Sequence, residues 1–331
     1  MRHIKRILVA VKNPEANWSA AIVKATQLAR ASGAHLELFF AADASGDSEQ
    51  CLSYTQMLER LASQVRDHGV SVSIATNRGH PPHVSILRQA DSTRADLIVT
   101  DCYGGLPFAP ALLQLTDWEL ARLSPMPVLM VKRQRPYHRP KILAAVDPTH
   151  AYSKPLELDA QILACAARMS EILRGTLHAV HAYVPAPFAA EVSTGLAAGS
   201  ALRTDAFAAA DAGAQLSKVL RATAIPARCR HLIGGHPADA IKQAVNDMGA
   251  DIVVMGSISR SGLRRLLIGN TAEKLLYRLP CDLLLVKPTG IADIVPRKRC
   301  GARVNHDSGL RLSNRLHAQM KIWLHRRLAL E

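Results

Sequence analysis

The distribution of apolar residues predicts short buried strands that alternate with amphipathic helices. Short apolar runs such as RILVAV at Arg6 are separated by longer segments with helical spacing. This alternation is typical of βα units that close a parallel sheet. Gly33 and Gly69 follow helical segments and are predicted to end them. Strands are predicted near residues 6–11, 35–41, 70–76, 96–100, 128–131, 141–146, 176–183, 228–232, 251–255 and 282–286.

The chain contains the same passage twice. Ala95–Lys132 aligns without a gap with Ala250–Lys287 at an offset of 155 residues, and both segments end in similar strands, PVLMVK and DLLLVK. The starts correspond too, KRILVAVKNP at Lys5 and PKILAAVDPTH at Pro140. We therefore predict an α/β protein with two tandem doubly wound domains, each built on a five-stranded parallel sheet. Domain 1 covers residues 1–135, domain 2 covers 136–290, a basic tail covers 291–331, and RQRPYHRP at 133–140 is the predicted linker.

Composition narrows the classes of function. The 331 residues are 48% hydrophobic, but no apolar stretch approaches the length of a membrane span, and the first residues lack the features of a secretory signal, so a cytoplasmic protein is expected. The six cysteines lack metal-ligand spacing and are expected to be reduced, with no metal site. The formal net charge is +14, yet nine Lys or Arg against two acids lie beyond residue 295. The basic character that could attract nucleic acid is therefore concentrated in the tail.

Several spaced motifs recur in order in both copies. They are RGHP and GGHP in matching turns, TDWELARLSPMPVLMVK ending the first copy, and GNTAEKLLYRLPCDLLLVKP ending the second. On these motifs the chain resembles the universal stress protein family, in the tandem arrangement of its E-type members, from about Lys5 to Pro288. The resemblance implies an adenine-nucleotide alpha-hydrolase-like fold, a stress-response role, and an internal pseudo-dimer in which the last strand of each domain pairs with its counterpart.

The same resemblance implies an adenine-nucleotide site, most plausibly for ATP, in domain 2. Nucleotide-binding members carry an Asp after the first strand and a glycine-rich loop after the fourth. The candidate binding residues are Val146, Asp147, Gly256, Ser259, Gly262, Gly269, Asn270 and Thr271. Glycines at strand ends and free N–H groups at a helix start would suit phosphate. Ser259 replaces a glycine and Asn270 a Ser or Thr, and the same residues also fit an ordinary turn followed by a capped helix.

Domain 1 departs further from the nucleotide pattern. Lys12 replaces the Asp, Asp101 replaces the first glycine, and Gln114 and Leu115 replace the final Gly-Ser. A carboxylate at residue 101 would repel phosphate, so we predict that domain 1 does not bind nucleotide. Asp117 and Trp118 are interpreted as a helix start with an anchoring aromatic residue.

The sequence shows no catalytic residues. His80 and His236 precede prolines in matching turns, but neither accompanies a nucleophile motif, so a turn or cap role is expected. His178 and His181 lie on a predicted strand without metal spacing. The expected function is therefore not enzymatic, with any ATP hydrolysis slow and incidental.

The sequence is compatible with several kinds of binding partner. Besides the internal pairing of domains, an unidentified protein partner or a homodimer is compatible with the sequence. The tail segment 314–330, NRLHAQMKIWLHRRLAL, has the spacing of a basic amphipathic helix, which could dock on the body, lie on an anionic membrane or contact nucleic acid. An interaction module without nucleotide, or with an apolar ligand, is the alternative to ATP binding.

Overall fold

A computed structural model describes most of the chain. The described residues are 3–15, 18–41, 48–77, 80–102, 115–148, 157–183, 197–257 and 270–288. Met1–Ile291 forms one compact unit. The predicted amphipathic tail helix lies outside the described residues. Among the described helices, none combines the length and apolar character that a membrane span requires.

Strands and helices alternate along both copies, as the apolar pattern predicts. The strands are β1 Arg6–Val11, β2 His35–Ala41, β3 Val72–Asn77, β4 Leu97–Asp101, β5 Val128–Val131, β6 Lys141–Ala145, β7 Thr176–Tyr183, β8 Arg230–Gly234, β9 Ile252–Gly256 and β10 Asp282–Val286. The helices are α1 Ala20–Ser32, α2 Ser48–Asp67, α3 Pro82–Ser92, α4 Leu115–Leu123, α5 Leu158–Leu173, α6 Ala197–Val219, α7 Pro237–Met248 and α8 Asn270–Arg278. The first repeat comprises β1–β5 and the second β6–β10, and the predicted domain boundary at 135/136 falls between them.

Glycine ends two of the helical segments where the sequence predicts it. Gly33 has φ +68° and directly follows α1, and Gly69 has φ +75° just beyond the end of α2. Residues with a Cβ rarely adopt this left-handed conformation, so each glycine lets the chain turn back toward the next strand.

All ten strands form one continuous sheet in the order β3-β2-β1-β4-β5-β10-β9-β6-β7-β8. Neighbouring strands are parallel except at the centre, where β5 and β10 pair antiparallel with Leu284 opposite Leu129. Each repeat thus contributes five parallel strands, as predicted. The last strand of each repeat lies against its counterpart, so neither forms an exposed edge.

Helices cover both faces of the sheet. Apolar residues of α1, α2, α5 and α6 pack on one face, and those of α3, α4, α7 and α8 on the other. Successive strand residues alternate between these faces, because Ile7 and Val9 join one cluster while Leu8 joins the other. Burial on both faces explains why the central strands read as nearly continuous apolar runs.

Candidate functional site

Each repeat has one crevice at the point where the strand order reverses. In the second repeat β6 and β9 are neighbours, and the chain leaves β6 toward β7 on one side and β9 toward β10 on the other. In the first repeat β1 and β4 occupy the same places. Ligands of open α/β sheets bind beyond the carboxyl ends of the strands at such points. We refer to these places as the first crevice, beyond β1 and β4, and the second crevice, beyond β6 and β9.

Val146 and Asp147 follow β6 at the second crevice. Val146 is buried, and its N–H donates to the carbonyl oxygen of Val180 at 3.0 Å. Asp147 is half-buried, and its N–H donates to the two carboxylate oxygens of Asp159 at 3.2 and 3.3 Å. Asp159 lies in the first turn of α5. The backbone at residue 147 is therefore fixed by α5, which sets the position from which the Asp147 side chain leaves the strand.

Gly256 ends β9 on the other side of the second crevice, and its missing side chain makes room for α5. A Cβ at this position would lie 2.5 Å from Leu158 Cδ2 and 3.2 Å from Leu158 Cγ. The following residue, Ser257, is buried, and its hydroxyl donates to the carbonyl oxygen of Ala121 at 3.0 Å. Gly256 therefore serves the packing of Leu158, a role that its place in a glycine-rich loop does not predict.

The rest of the predicted loop is described only at its end. Ser259, Gly262 and Gly269 lie outside the described residues. Helix α8 begins at Asn270, where the sequence predicts the helix after the loop to start. Thr271, the next residue, is half-buried. Val146, Asp147 and Gly256 thus lie at the carboxyl ends of adjacent strands, and the helix after the loop starts at the predicted residue.

Polar side chains of the first repeat fill the first crevice. Lys12 Nζ and Asp117 Oδ2 form an ion pair at 2.5 Å, and both side chains are more than nine-tenths buried. Asp101 Oδ1 accepts a hydrogen bond from the N–H of Ala21 at 2.8 Å, in the first turn of α1. The hydroxyl of Ser19, the N-cap residue of α1, also hydrogen-bonds to Asp101. The protein thus supplies its own carboxylate to a helix start, the kind of place where other α/β proteins hold a phosphate.

Burial governs the ionisation of both carboxyls in the first crevice. It raises the pKa of Asp101, and hydrogen bonds from Ser19 and Ala21 counteract only part of this effect. Burial also raises the pKa of Asp117, against the opposing charge of Lys12. Because desolvation disfavours the charged form, these acids resist ionisation more than exposed aspartates do.

The histidines singled out in the sequence lie at a helix start or beside another side chain. His236 is the N-cap residue of α7, directly before Pro237, and Arg88 donates to the ring of His80 at 2.5 Å. His178 Nδ1 and His231 Nε2 lie 3.1 Å apart on neighbouring strands. Within the described part of the chain, no group of three or more potential ligands could hold a metal ion.

Two lysines join the repeats reciprocally across β5 and β10. Lys132, after β5, donates to the carbonyl oxygens of Leu276 and Leu279 at the end of α8, at 2.5 and 2.9 Å. Lys287, its counterpart after β10, donates to the carbonyl oxygen of Arg122 near the end of α4 at 2.9 Å. Burial lowers the pKa of Lys132 and lowers that of Lys287 to about 8. Each cation therefore binds the negative end of a helix in the other repeat.

Asp282 is the centre of a second, unsymmetrical contact between the repeats. It is fully buried and pairs with Lys24 of α1, and the Tyr137 hydroxyl donates to it at 2.6 Å. The N–H groups of Lys132 and Arg133 donate to its other oxygen at 2.8 and 3.2 Å. Burial, followed by the charge of Asp282, raises the pKa of Tyr137 well above its ordinary value. We refer to Lys24, Tyr137 and Asp282 as the Asp282 cluster.

Comparison with known proteins agrees with this architecture. The model of the universal stress protein family matches residues 3–132 and again 139–287. Universal stress protein E of Photorhabdus laumondii is 28% identical over 246 residues, covering 71% of this chain and 75% of that protein. Universal stress protein E of Escherichia coli K12 is 27% identical over 238 residues, covering 71% and 74%.

A solved structure shares the fold over most of its length. A functionally unknown protein from Pseudomonas aeruginosa PAO1 superposes with a TM-score of 0.71 and 26% sequence identity, covering 88% of this chain and 95% of that chain. The two family matches coincide with the two repeats of the sheet and include both crevices. The chain therefore belongs to the universal stress protein family, as a tandem member similar to the E type.

Proposed function

We propose that the protein is a non-catalytic, cytoplasmic stress-response factor that binds ATP or a related adenine nucleotide in the second crevice. Three positions distinguish this crevice from the first and support the proposal. Lys12, Asp101 and Asp117 of the first repeat correspond to Asp147, Gly256 and Ala272 of the second. The second repeat therefore replaces the internal ion pair and the internal carboxylate with one acid, a glycine and a small apolar residue.

These replacements suit a nucleotide. On this proposal, the carboxylate of Asp147, a half-buried residue that follows β6, accepts hydrogen bonds from a ribose or a base. Ala272, in the first turn of α8, puts no negative charge where Asp117 has one, which favours phosphate near the helix start. In the proposed mechanism, occupancy of the second crevice biases the pairing of the repeats or the recruitment of a partner protein.

Calorimetry with ATP tests the proposal directly. We expect binding to the full-length protein, and we expect Asp147→Asn to weaken it by about tenfold or more, because hydrogen bonds to a charged group contribute about 1.5 to 3 kcal/mol. Asp211→Asn is the matched control, since Asp211 is an exposed acid of α6 that accepts from Gln215. No heat at millimolar ATP, or equal affinity of wild type and Asp147→Asn, contradicts nucleotide binding at this crevice.

One observation favours a second candidate function, an interaction module without nucleotide. Leu158 already occupies the space above Gly256 that a glycine-rich loop would offer to a ligand. On this alternative, both crevices are closed by the protein's own side chains, and the protein acts through its surface. Mass spectrometry of small molecules that copurify with gently isolated protein separates the two: a stoichiometric adenine nucleotide supports the first proposal, and its absence together with silent calorimetry supports the second.

A further inference from the structure

A small cleft of about 40 Å³ lies at the amino ends of β1, β2 and β3, away from both crevices. Arg6, His35, Glu37, Ser73 and Thr93 contribute to its walls. Glu37 points to the face of the sheet that α3 covers, because Gln89 of α3 donates to its Oε1 at 2.7 Å. The cleft belongs to the first repeat alone.

Glu37 is an unusual residue for this position. Its side chain is on the same face of β2 as the core residue Phe39, and only 9% of the residue is exposed. Its second oxygen, Oε2, is buried and accepts no hydrogen bond from the described residues. Buried carboxylates in proteins are nearly always hydrogen-bonded or paired with a cation, so this oxygen indicates a ligand in the cleft.

Charge indicates the class of ligand. The only described donor to the Glu37 carboxylate is a neutral amide, and no ion pair within the described residues includes Glu37. Arg6, the arginine of the wall, is exposed and forms no ion pair with Glu37. Water would satisfy the hydrogen-bonding capacity of Oε2 but would not pair with the charge of the carboxylate. A cation satisfies both requirements.

The number of oxygen atoms narrows the class further. Besides Glu37, whose Oε1 already accepts from Gln89, the residues of the wall carry two side-chain oxygens: Ser73 Oγ, which hydrogen-bonds to His35 at 2.9 Å, and Thr93 Oγ1, which donates to the Gln89 carbonyl oxygen at 2.9 Å. Each hydroxyl retains acceptor capacity. Three acceptors match the three N–H donors of a primary ammonium group, whereas Ca²⁺ and Mg²⁺ require about six oxygen ligands or more. We propose that this cleft binds the ammonium group of a small primary amine.

In the second repeat, a pair of histidines stands at the position equivalent to Glu37. His178 corresponds to Glu37, because Leu177 and Leu36 pair with Ile142 and Ile7 in the same register. His178 hydrogen-bonds to His231 of the neighbouring strand, and burial lowers the pKa of both rings, which favours a neutral pair. A cation site is therefore expected only in the first repeat.

Saturation-transfer NMR with methylammonium chloride and the full-length protein tests the proposal. We expect transfer to the methyl protons of the amine, reduced at least fivefold in Glu37→Gln, which keeps the shape of the side chain but removes its charge. Thr93→Val, which removes one acceptor without changing charge, should reduce the transfer by a smaller factor and serves if Glu37→Gln does not fold. Glu59→Gln is the matched control, because Glu59 is an exposed acid paired with Arg66.

Tetramethylammonium carries the same charge but no N–H donor and should give no transfer. Equal transfer in wild type and in both cleft variants overturns the proposal, as does equal transfer to tetramethylammonium. A signal that follows Glu37 and Thr93 but not Glu59 supports it. The melting temperature of Glu37→Gln, expected to equal or exceed that of wild type, shows whether a lost signal reflects lost binding rather than unfolding.

Discussion

The two crevices have the same backbone architecture and opposite chemistry. In the first, Lys12 follows the strand and Asp117 begins the helix, and the two form a buried ion pair. In the second, the acid Asp147 follows the strand and Ala272 lies where Asp117 would be. The two repeats thus place the same backbone at each crevice, and the side chains determine whether the protein itself fills it.

The comparison also shows that the same residue position serves different purposes in the two repeats. The position that ends the fourth strand is Asp101 in the first repeat, where it accepts a hydrogen bond at the start of α1. In the second repeat it is Gly256, where the absence of a Cβ admits Leu158. In nucleotide-binding relatives the resemblance implies that a glycine here serves the ligand. A glycine in this place is therefore insufficient evidence for nucleotide unless its neighbours are known.

Breaking the ion pair of the first crevice should have the largest effect on stability. Lys12→Met leaves Asp117 buried without its cation, and we expect the free energy of unfolding to fall by about 3 to 5 kcal/mol. Chemical denaturation followed by circular dichroism measures this loss. Lys12→Met combined with Asp117→Leu should recover most of it, because a buried ion pair can often be replaced by apolar residues. Lys274→Met, an exposed lysine of α8, is the control, and an equal effect there would refute the buried pair's importance.

Filling the space at Gly256 should have an intermediate effect. Gly256→Ala forces Leu158 to move, and overpacking of this kind costs about 1 to 3 kcal/mol. Gly213→Ala is the matched control: its Cβ would lie 3.6 Å from Leu232 Cδ2, an ordinary contact, so that variant should be neutral or stabilised by up to about 1 kcal/mol. If Gly256→Ala kept full stability but lost ATP binding, the glycine would serve a ligand rather than α5.

The smallest effect is expected for the pH dependence of stability that Asp101 causes. Because the folded protein raises the pKa of Asp101, the folded state holds its proton more tightly than the unfolded state. This acid therefore favours folding below its ordinary pKa of about 4, and the benefit is lost as the pH rises through the raised value. Melting temperatures of wild type and Asp101→Asn between about pH 3.5 and 7 should show wild type losing stability relative to the variant as the pH rises. A constant difference would show that the acid titrates alike in both states.

Most of the fold follows from local sequence. The β1, β2, β5, β7 and β10 ranges agree with the predicted strands, because parallel strands buried on both faces are mostly apolar. Two strands begin later than predicted. β8 begins at Arg230 rather than near residue 228, because Ala227–Cys229 forms a short 3₁₀ turn, and β3 begins at Val72 rather than near residue 70. The pairing of β5 with β10, the last strands of the two repeats, was predicted from the family resemblance and not from the apolar periodicity.

The candidate site was harder to predict because its chemistry depends on distant residues. Nothing local indicates that Leu158 fills the space at Gly256, since the two positions are brought together only by the packing of α5 on β9. The linker shows the same limit. Its polar residues and two prolines predict a linker, yet Tyr137 within it is 93% buried and hydrogen-bonded to Asp282, 145 residues away.

The Asp282 cluster makes the contact between the two repeats unsymmetrical. In a dimer of identical repeats every contact would occur twice, but the positions equivalent to Asp282 and Lys24 are Pro127 and Cys165, which carry no charge. If either repeat paired with a copy of itself, it would bury Lys24 or Asp282 without a counter-charge, at a substantial cost in stability. A homodimer of either repeat is therefore expected to be less stable than the tandem protein. The Lys24–Asp282 pair thus favours the pairing of two unlike repeats over the pairing of identical ones.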